Sequence, residues 1–236
     1  PVRLSMNRTE VFEASGPGAG AVIGMKIGVD ASGKIIAAAG DLKYEAGAYA
    51  GSPVAAGAEC CFSAYNIPNV RIDGFDIVVT KPKTAAYRAP GSTHVAYGVE
   101  SVVDEICEKI GMDPFEFRLL NASKQGDRRA VGPIFGKIGT TEVLEAARDS
   151  DHYRTPLEQS SSPTIKRGRG IGIGFWRNAG RKSSVTLNVN RDATVTLIEG
   201  STDIGGTRAS IAMQAAEVLG IPSEMMKPTV VDTDLV

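Results

Sequence analysis

Apolar and polar residues alternate over residues 21–30, the two-residue period of a half-buried strand. Asp30-Ala31-Ser32-Gly33 has turn chemistry, and a second strand-like run over residues 34–44 follows. The pair reads as a β-hairpin. Residues 47–57 are small in composition and read either as a loop or as an alanine-rich helix. Strand character returns over residues 70–80 through Ile72, Phe75, Ile77, Val78 and Val79. After a turn-rich stretch, Val95, Val99, Val102, Val103, Ile106 and Ile110 keep the three-and-four spacing of a helix with one buried face. Ser92 or Thr93 is its expected cap, and Gly111 its left-handed stop. Asp113-Pro114 then reads as an N-cap with proline at the first helical position, opening a short helix through Phe115, Phe117, Leu119 and Leu120.

Between residues 123 and 170 the composition shifts, interrupted by a helical pattern from Thr141 to Arg148. Ser160-Ser161-Ser162-Pro163 is the best linker candidate and places a boundary near residue 160. Beyond it, residues 184–190 and 193–199 alternate around Asn190-Arg191-Asp192, a second hairpin. The glycine turn at residues 200–207 leads into a helix whose expected buried stripe is Ile211, Ala215, Val218 and Leu219, with Gly220 as its stop. Residues 229–231 read as a strand. The halves share a hairpin, a glycine-rich turn and a long helix, so the expected class is α+β, two mixed α/β layers built from hairpins plus long helices.

Composition removes several function classes. The 26 basic and 27 acidic side chains nearly cancel, which argues against a nucleic-acid partner. No run of about 18 apolar residues is present, so no membrane-spanning helix is expected. Cys60, Cys61 and Cys107 make a poor disulfide framework and read as small buried hydrophobes of a reducing, cytoplasmic compartment. With only His94 and His152, a histidine-rich metal site is not expected. The chain opens Pro1-Val2-Arg3 without an initiator methionine and reads as an internal fragment.

Two places carry chemistry. In Tyr87-Arg88-Ala89-Pro90-Gly91 a cation precedes a stiff turn just before a helix, an arrangement that can hold an anionic group against free backbone N–H donors. The competing reading is an exposed arginine beside an ordinary turn. In Asp203-Ile204-Gly205-Gly206-Thr207, glycines at a strand-to-helix junction let the backbone approach a ligand, and the helix N-terminus suits a phosphate or pyrophosphate. It is neither a dinucleotide nor a P-loop fingerprint, and flexible glycines at a helix start are its competing reading. No Ser/His/Asp set, carboxylate pair or thiol nucleophile follows from spacing.

At these residues the sequence resembles the molybdopterin-binding subunits of the xanthine dehydrogenase and aldehyde oxidase family. The resemblance runs through Tyr65-Asn66-Ile67-Pro68-Asn69-Val70-Arg71, Ala86-Tyr87-Arg88-Ala89-Pro90-Gly91, Gly111-Met112-Asp113-Pro114-Phe115-Glu116-Phe117-Arg118, and residues 200–207 with Gln214-Ala215-Ala216-Glu217. It implies part of a first molybdopterin-binding domain at 1–122, a linker with a short helix at 123–165, and the start of a second such domain at 166–236. It implies an oxidoreductase that uses water-derived oxygen on a small-molecule substrate, an aldehyde or N-heterocycle. Electrons would leave for iron–sulfur clusters and FAD on partner subunits of a hetero-oligomer. A non-catalytic cofactor-binding protein of the same fold is the alternative. By motif position, Arg88, Ala89, Asp203, Ile204, Gly205, Gly206 and Thr207 would contact the cofactor, while Arg71, Pro90, Phe175 and Trp176 would line the substrate pocket. The family's catalytic glutamate is expected beyond Val236. The sequence departs from the family at Gly206, where a glutamine is usual, at His94, where a glutamine is common, and at Trp176, which replaces a smaller polar residue.

Overall fold

A computed structural model describes residues 4–177 and 182–230. The expected α+β class holds. The chain forms two compact units, residues 1–177 and 178–236.

In the first unit, helix α1 (Arg8–Ala14) is absent from the sequence reading, although Asn7 and Glu10 form a reciprocal capping box at its start. Strands β1 (Ala21–Val29) and β2 (Ile35–Gly47) pair antiparallel as the expected hairpin. Its turn is held by Asp30, whose carboxylate accepts the N–H groups of Ser32 and Lys34. The alanine-rich stretch includes helix α2 (Val54–Cys60), which crosses over to β3 (Val70–Val78), parallel to β2. Helix α3 (Ser92–Ile110) follows, then α4 (Pro114–Asn121), α5 (Thr140–Arg148) and α6 (Asp151–Arg154).

The core forms where the inner face of β2, led by Ile35, Leu42 and Tyr44, meets Val95, Val99, Val103 and Ile106 of α3. Val102 is only partly buried and Ile110 is exposed, so the stripe is narrower than the sequence suggests. Asn121 is fully buried and ties α4 to the hairpin: it accepts from Ile35 N–H and donates to the Gly33 and Phe117 carbonyls. Asp113 caps α4 as expected, accepting from the N–H groups of Phe115 and Glu116. Residues 166–177, assigned to the second domain from sequence, lie in the first unit: Ile173 and Phe175 pack on its core.

The second unit repeats the first unit's opening order. Strands β4 (Val185–Val189) and β5 (Val195–Glu199) form the expected hairpin. Helix α7 (Thr207–Leu219) crosses over to β6 (Met226–Val230), which lies parallel to β5 and starts before the expected residue 229. Residue 231, the end of that expected strand, is outside the described residues. The α7 stripe differs from expectation. Ala212 and Ala216 are buried, whereas Val218 and Leu219 are exposed. Ala212 and Ala216 join Val195, Leu197 and Met226 in the second core, with Ile211 and Ala215 of the expected stripe partly buried against it.

Among the described residues no helix is long and apolar enough to cross a membrane. All three cysteines are buried and unpaired. Burial pushes the Cys61 thiol up to about 12, and those of Cys60 and Cys107 upward as well, so none is poised as a thiolate.

Candidate functional site

The Arg88–Gly91 turn begins α3, but neither Ser92 nor Thr93 caps the helix. The cap is Gly91, in the left-handed region at φ 81° and without a capping side chain. Ala89 is also left-handed, at φ 56°. Gly91 is required twice over. Its φ disfavours a side chain, and a Cβ there would lie 2.5 Å from the Pro53 carbonyl oxygen and 2.9 Å from Gly57 N. The turn therefore rests directly on the backbone of α2. Ser92, instead of capping, donates its hydroxyl to the Phe175 carbonyl at 2.6 Å.

The rear of the turn is held by aromatic side chains. The Gly91 N–H donates to Tyr87 Oη at 2.9 Å, and Tyr44 Oη donates to the Gly91 carbonyl at 2.6 Å. Tyr87 Oη also meets His94 Nδ1 at 2.9 Å, and His94 Nε2 lies 3.0 Å from the Ala19 carbonyl oxygen. The Arg88 side chain is exposed. Burial, with the neighbouring Tyr87, raises the Tyr44 phenol above its ordinary range, so it stays a donor.

Phe175 joins this turn through Ser92. Its half-buried ring stands edge-on to Phe135 at 5.8 Å, and the Arg129 guanidinium lies over both rings. Trp176 is exposed beside it. Arg177 and Arg129 both approach Glu59, at 2.6 and 3.9 Å. Pro90, Arg88 and Phe175 are thus brought to one place. Arg71 is not among them. It is level with Ala39 in the sheet, on the face opposite the core, where it pairs with Asp73 at 2.8 Å.

The second turn is also built on a left-handed glycine cap, Gly206 at φ 105°, preceded by Gly205 at φ 96°. Its N–H donors point at the protein's own carboxylate. Asp203 Oδ1 accepts from Gly206 N at 2.9 Å, Thr207 N at 3.0 Å and Gly205 N at 3.3 Å. These bonds, that from Gly206 foremost, hold the Asp203 carboxyl below its ordinary value. Arg208 adds an ion pair at 3.4 Å. The expectation of donors open to a phosphate therefore needs correction: an internal anion occupies them. Space remains on the outer side, because a Cβ on Gly206 would meet nothing within 4 Å, and Ile204 is exposed. Just before the turn, Glu199 is buried; one of its oxygens accepts from Ser201 N–H, and the other has no partner among the described residues.

Tyr44 and Glu199 go unrecognised in the sequence, Ser92 is expected only as a cap, and His94 stands out only as a departure from the family, although a polar residue in the first turn of an amphipathic helix is itself a signal. Among the described residues no group of three His, Cys, Asp or Glu side chains is arranged to hold a metal ion.

The fit to an anionic cofactor differs between the turns. At α3, the N-terminus has no capping side chain and Arg88 stands beside it, which suits an anionic group. At α7 an open glycine surface suits close backbone approach, but not anion capture by the N–H groups that Asp203 already holds.

Comparison with known proteins finds two family matches along the chain. The family model of the molybdopterin cofactor-binding domain matches residues 1–122, and a second model of the same description matches residues 143–236. The chain is 27% identical over its whole length to the xanthine dehydrogenase molybdenum-binding subunit of Escherichia coli O157:H7, covering 33% of that protein. It is 31% identical, over 86% of its length, to the aldehyde oxidoreductase molybdenum-binding subunit PaoC of Escherichia coli K12, covering 28% of it. The crystal structure of the aldehyde oxidoreductase from Desulfovibrio desulfuricans superposes with a TM-score of 0.71 at 28% identity, over 93% of this chain and 25% of that one. The chain thus spans about a third or less of the length of these relatives. It belongs to the molybdopterin cofactor-binding domain family, with one such domain matched before residue 123 and another after residue 142.

Proposed function

We propose that the chain forms part of the cofactor surface of a molybdopterin-dependent oxidoreductase acting on an aldehyde or N-heterocycle. It would work in a cytoplasmic hetero-oligomer with iron–sulfur and flavin partners. The observation that carries this reading is the uncapped, left-handed start of α3 with Arg88 beside it and the Phe175 segment tied to it. Support comes from the family match and from relatives named for xanthine dehydrogenase and aldehyde oxidoreductase activity. The sequence division, with domains at 1–122 and 166–236 and a linker at 123–165, is part of the proposal; residues 166–177 then lie against the first core.

When bound, the molybdenum group supplies the redox chemistry; the chain supplies position and electrostatics. Arg88 and Ala89 would hold it from the first turn. Asp203, Ile204, Gly205, Gly206 and Thr207 would meet it from the second through exposed backbone, with Asp203 fixing the turn. Pro90, Phe175 and Trp176 would line the substrate's approach, and Phe175 and Trp176 would exclude water from it; Arg71, expected there by motif, lies on the other face of the sheet.

The test is Arg88→Ala in the full-length assembly. Activity should fall at least tenfold, about 1.4 kcal/mol in the barrier, with a wild-type melting profile. Unchanged kcat would return Arg88 to the surface. Molybdenum bound without reduction of a dye acceptor in the wild type would favour the non-catalytic alternative.

A further inference from the structure

We infer that Tyr87, His94 and Tyr44 are positioning residues that hold the Arg88–Gly91 turn from behind and leave its front open to ligand; this rests on the cofactor reading above. The chemistry of the partners sets the direction of each bond. A carbonyl oxygen only accepts, so His94 Nε2 carries the proton facing Ala19 O at 3.0 Å. With one ring proton so placed, Nδ1 is the acceptor, and its donor is the Tyr87 hydroxyl at 2.9 Å. With its proton committed, Tyr87 Oη is left as the acceptor for the Gly91 N–H at 2.9 Å. Tyr44 closes the other side by donating to the Gly91 carbonyl at 2.6 Å. Both polar backbone groups of one left-handed glycine are therefore held by phenols, and one phenol is oriented by an imidazole.

The rings also pack. Those of Tyr44 and Tyr87 stand edge-on to His94, at 5.2 and 5.8 Å between centroids. Through Ala19 the relay anchors to the segment entering β1, which is tied to the same region by Ala85 N–H on the Pro17 carbonyl. The turn is thus fixed to two elements without a carboxylate at the helix N-terminus. The contrast with α7 gives the reason. Asp203 fixes its turn by filling the N–H donors with negative charge, whereas a relay without a carboxylate behind Gly91 fixes a similar left-handed cap and leaves the positive end of the helix uncancelled.

The relay predicts that a glutamine could take the place of His94. A side-chain amide can donate to Ala19 O through Nε2 and accept from Tyr87 through Oε1.

The experiment compares Tyr87→Phe, His94→Ala and His94→Gln with wild type in the full-length assembly. It reads hydrogen exchange of the backbone over residues 86–92 and molybdenum per polypeptide. Tyr87→Phe and His94→Ala should speed exchange at least tenfold and lower molybdenum at least threefold, with melting close to wild type. His94→Gln should restore both. Wild-type exchange in Tyr87→Phe and His94→Ala overturns the inference, as does a folded His94→Gln that restores nothing. Faster exchange in an assembly whose wild type binds no molybdenum would sink the cofactor reading while leaving the positioning of the turn intact. Wild-type exchange in a molybdenum-loaded assembly would do the reverse.

Discussion

Replacing Gly91 or Gly206 by alanine puts the same methyl group on two left-handed helix caps in different surroundings. At Gly206, φ is 105° and the new Cβ meets nothing within 4 Å, so the cost is backbone strain alone, roughly 1–3 kcal/mol. At Gly91, φ is 81° and similar strain applies. There the methyl also lands 2.5 Å from the Pro53 carbonyl oxygen and 2.9 Å from Gly57 N. These are backbone atoms of α2 and cannot swing aside as a side-chain tip would. Forcing them apart adds roughly 1–3 kcal/mol of overpacking. It also endangers the bonds from Tyr44 and to Tyr87, each worth about 1 kcal/mol. Gly91→Ala should therefore cost about 3–6 kcal/mol against about 1–3 for Gly206→Ala. Each kcal/mol moves the midpoint of a long subunit by less than the roughly 2–4 °C of a 150–250-residue domain, but Gly91→Ala should still melt below Gly206→Ala. Differential scanning calorimetry of the full-length subunit makes the comparison. Equal midpoints would refute the claim that the first turn is built on the α2 backbone. Cofactor content distinguishes a second feature: Gly206→Val should lower molybdenum per folded molecule, since its side chain enters open space where a ligand would approach.

Three further outcomes follow from the ion pairs and caps. Glu100 accepts from Arg118, whose side chain is fully buried, and from the Ile173 N–H, while Tyr65 donates to it; Glu100→Ala leaves the guanidinium to Asp104 and the Pro114 carbonyl but strips Ile173 N–H and Tyr65 of their acceptor, and should cost about 1–3 kcal/mol by calorimetry, whereas a loss under about 0.5 kcal/mol would contradict it. The Asp203 carboxyl sits below its unfolded value of 3.8, so its stabilisation is complete above that pH and fades as pH falls through the lowered folded value; between about pH 5 and about pH 3 the wild type should lose more melting temperature than Asp203→Asn, and parallel losses would refute the assignment. The 236-residue chain by itself is expected to retain no molybdenum, because the resemblance puts further cofactor segments outside it; near-stoichiometric metal in the purified piece would overturn that.

The hairpins, α3 and α4 were legible because their cues are local: alternation around Asp30 and Asn190, three-and-four spacing from Val95 to Ile106, and an Asp113-Pro114 start. The cap of α3 was misplaced because Ser92 has the right chemistry, and only its contact with the distant Phe175 carbonyl draws the hydroxyl away. On α7, periodicity cannot distinguish which of two neighbouring stripes faces the sheet when alanines occupy both. Arg71 and Pro90 were paired by motif, while strand register turns Arg71 to the other face of the sheet. The Tyr44–Gly91 bond joins residues from β2 and the start of α3, and no spacing rule connects them.

Charge is what most separates the two turns. Each has a left-handed glycine as helix cap, and each has a charged residue three positions earlier, Arg88 before Gly91 and Asp203 before Gly206. A carboxylate at that position reaches the N–H groups of its own helix and satisfies them, which rigidifies the turn and cancels the positive end of the helix dipole. A guanidinium cannot accept those bonds; at the first turn Gly91 N–H goes to Tyr87 Oη and Ser92 N–H to the Ala89 carbonyl, and Arg88 adds positive charge beside the helix start. Stability then has to come from elsewhere, and the phenols of Tyr44 and Tyr87 supply it from behind. Exchanging the charges tests this division: Arg88→Asp should weaken molybdenum retention in the full-length assembly, because it puts negative charge beside a helix start that no carboxylate caps, and unchanged molybdenum per polypeptide would refute it.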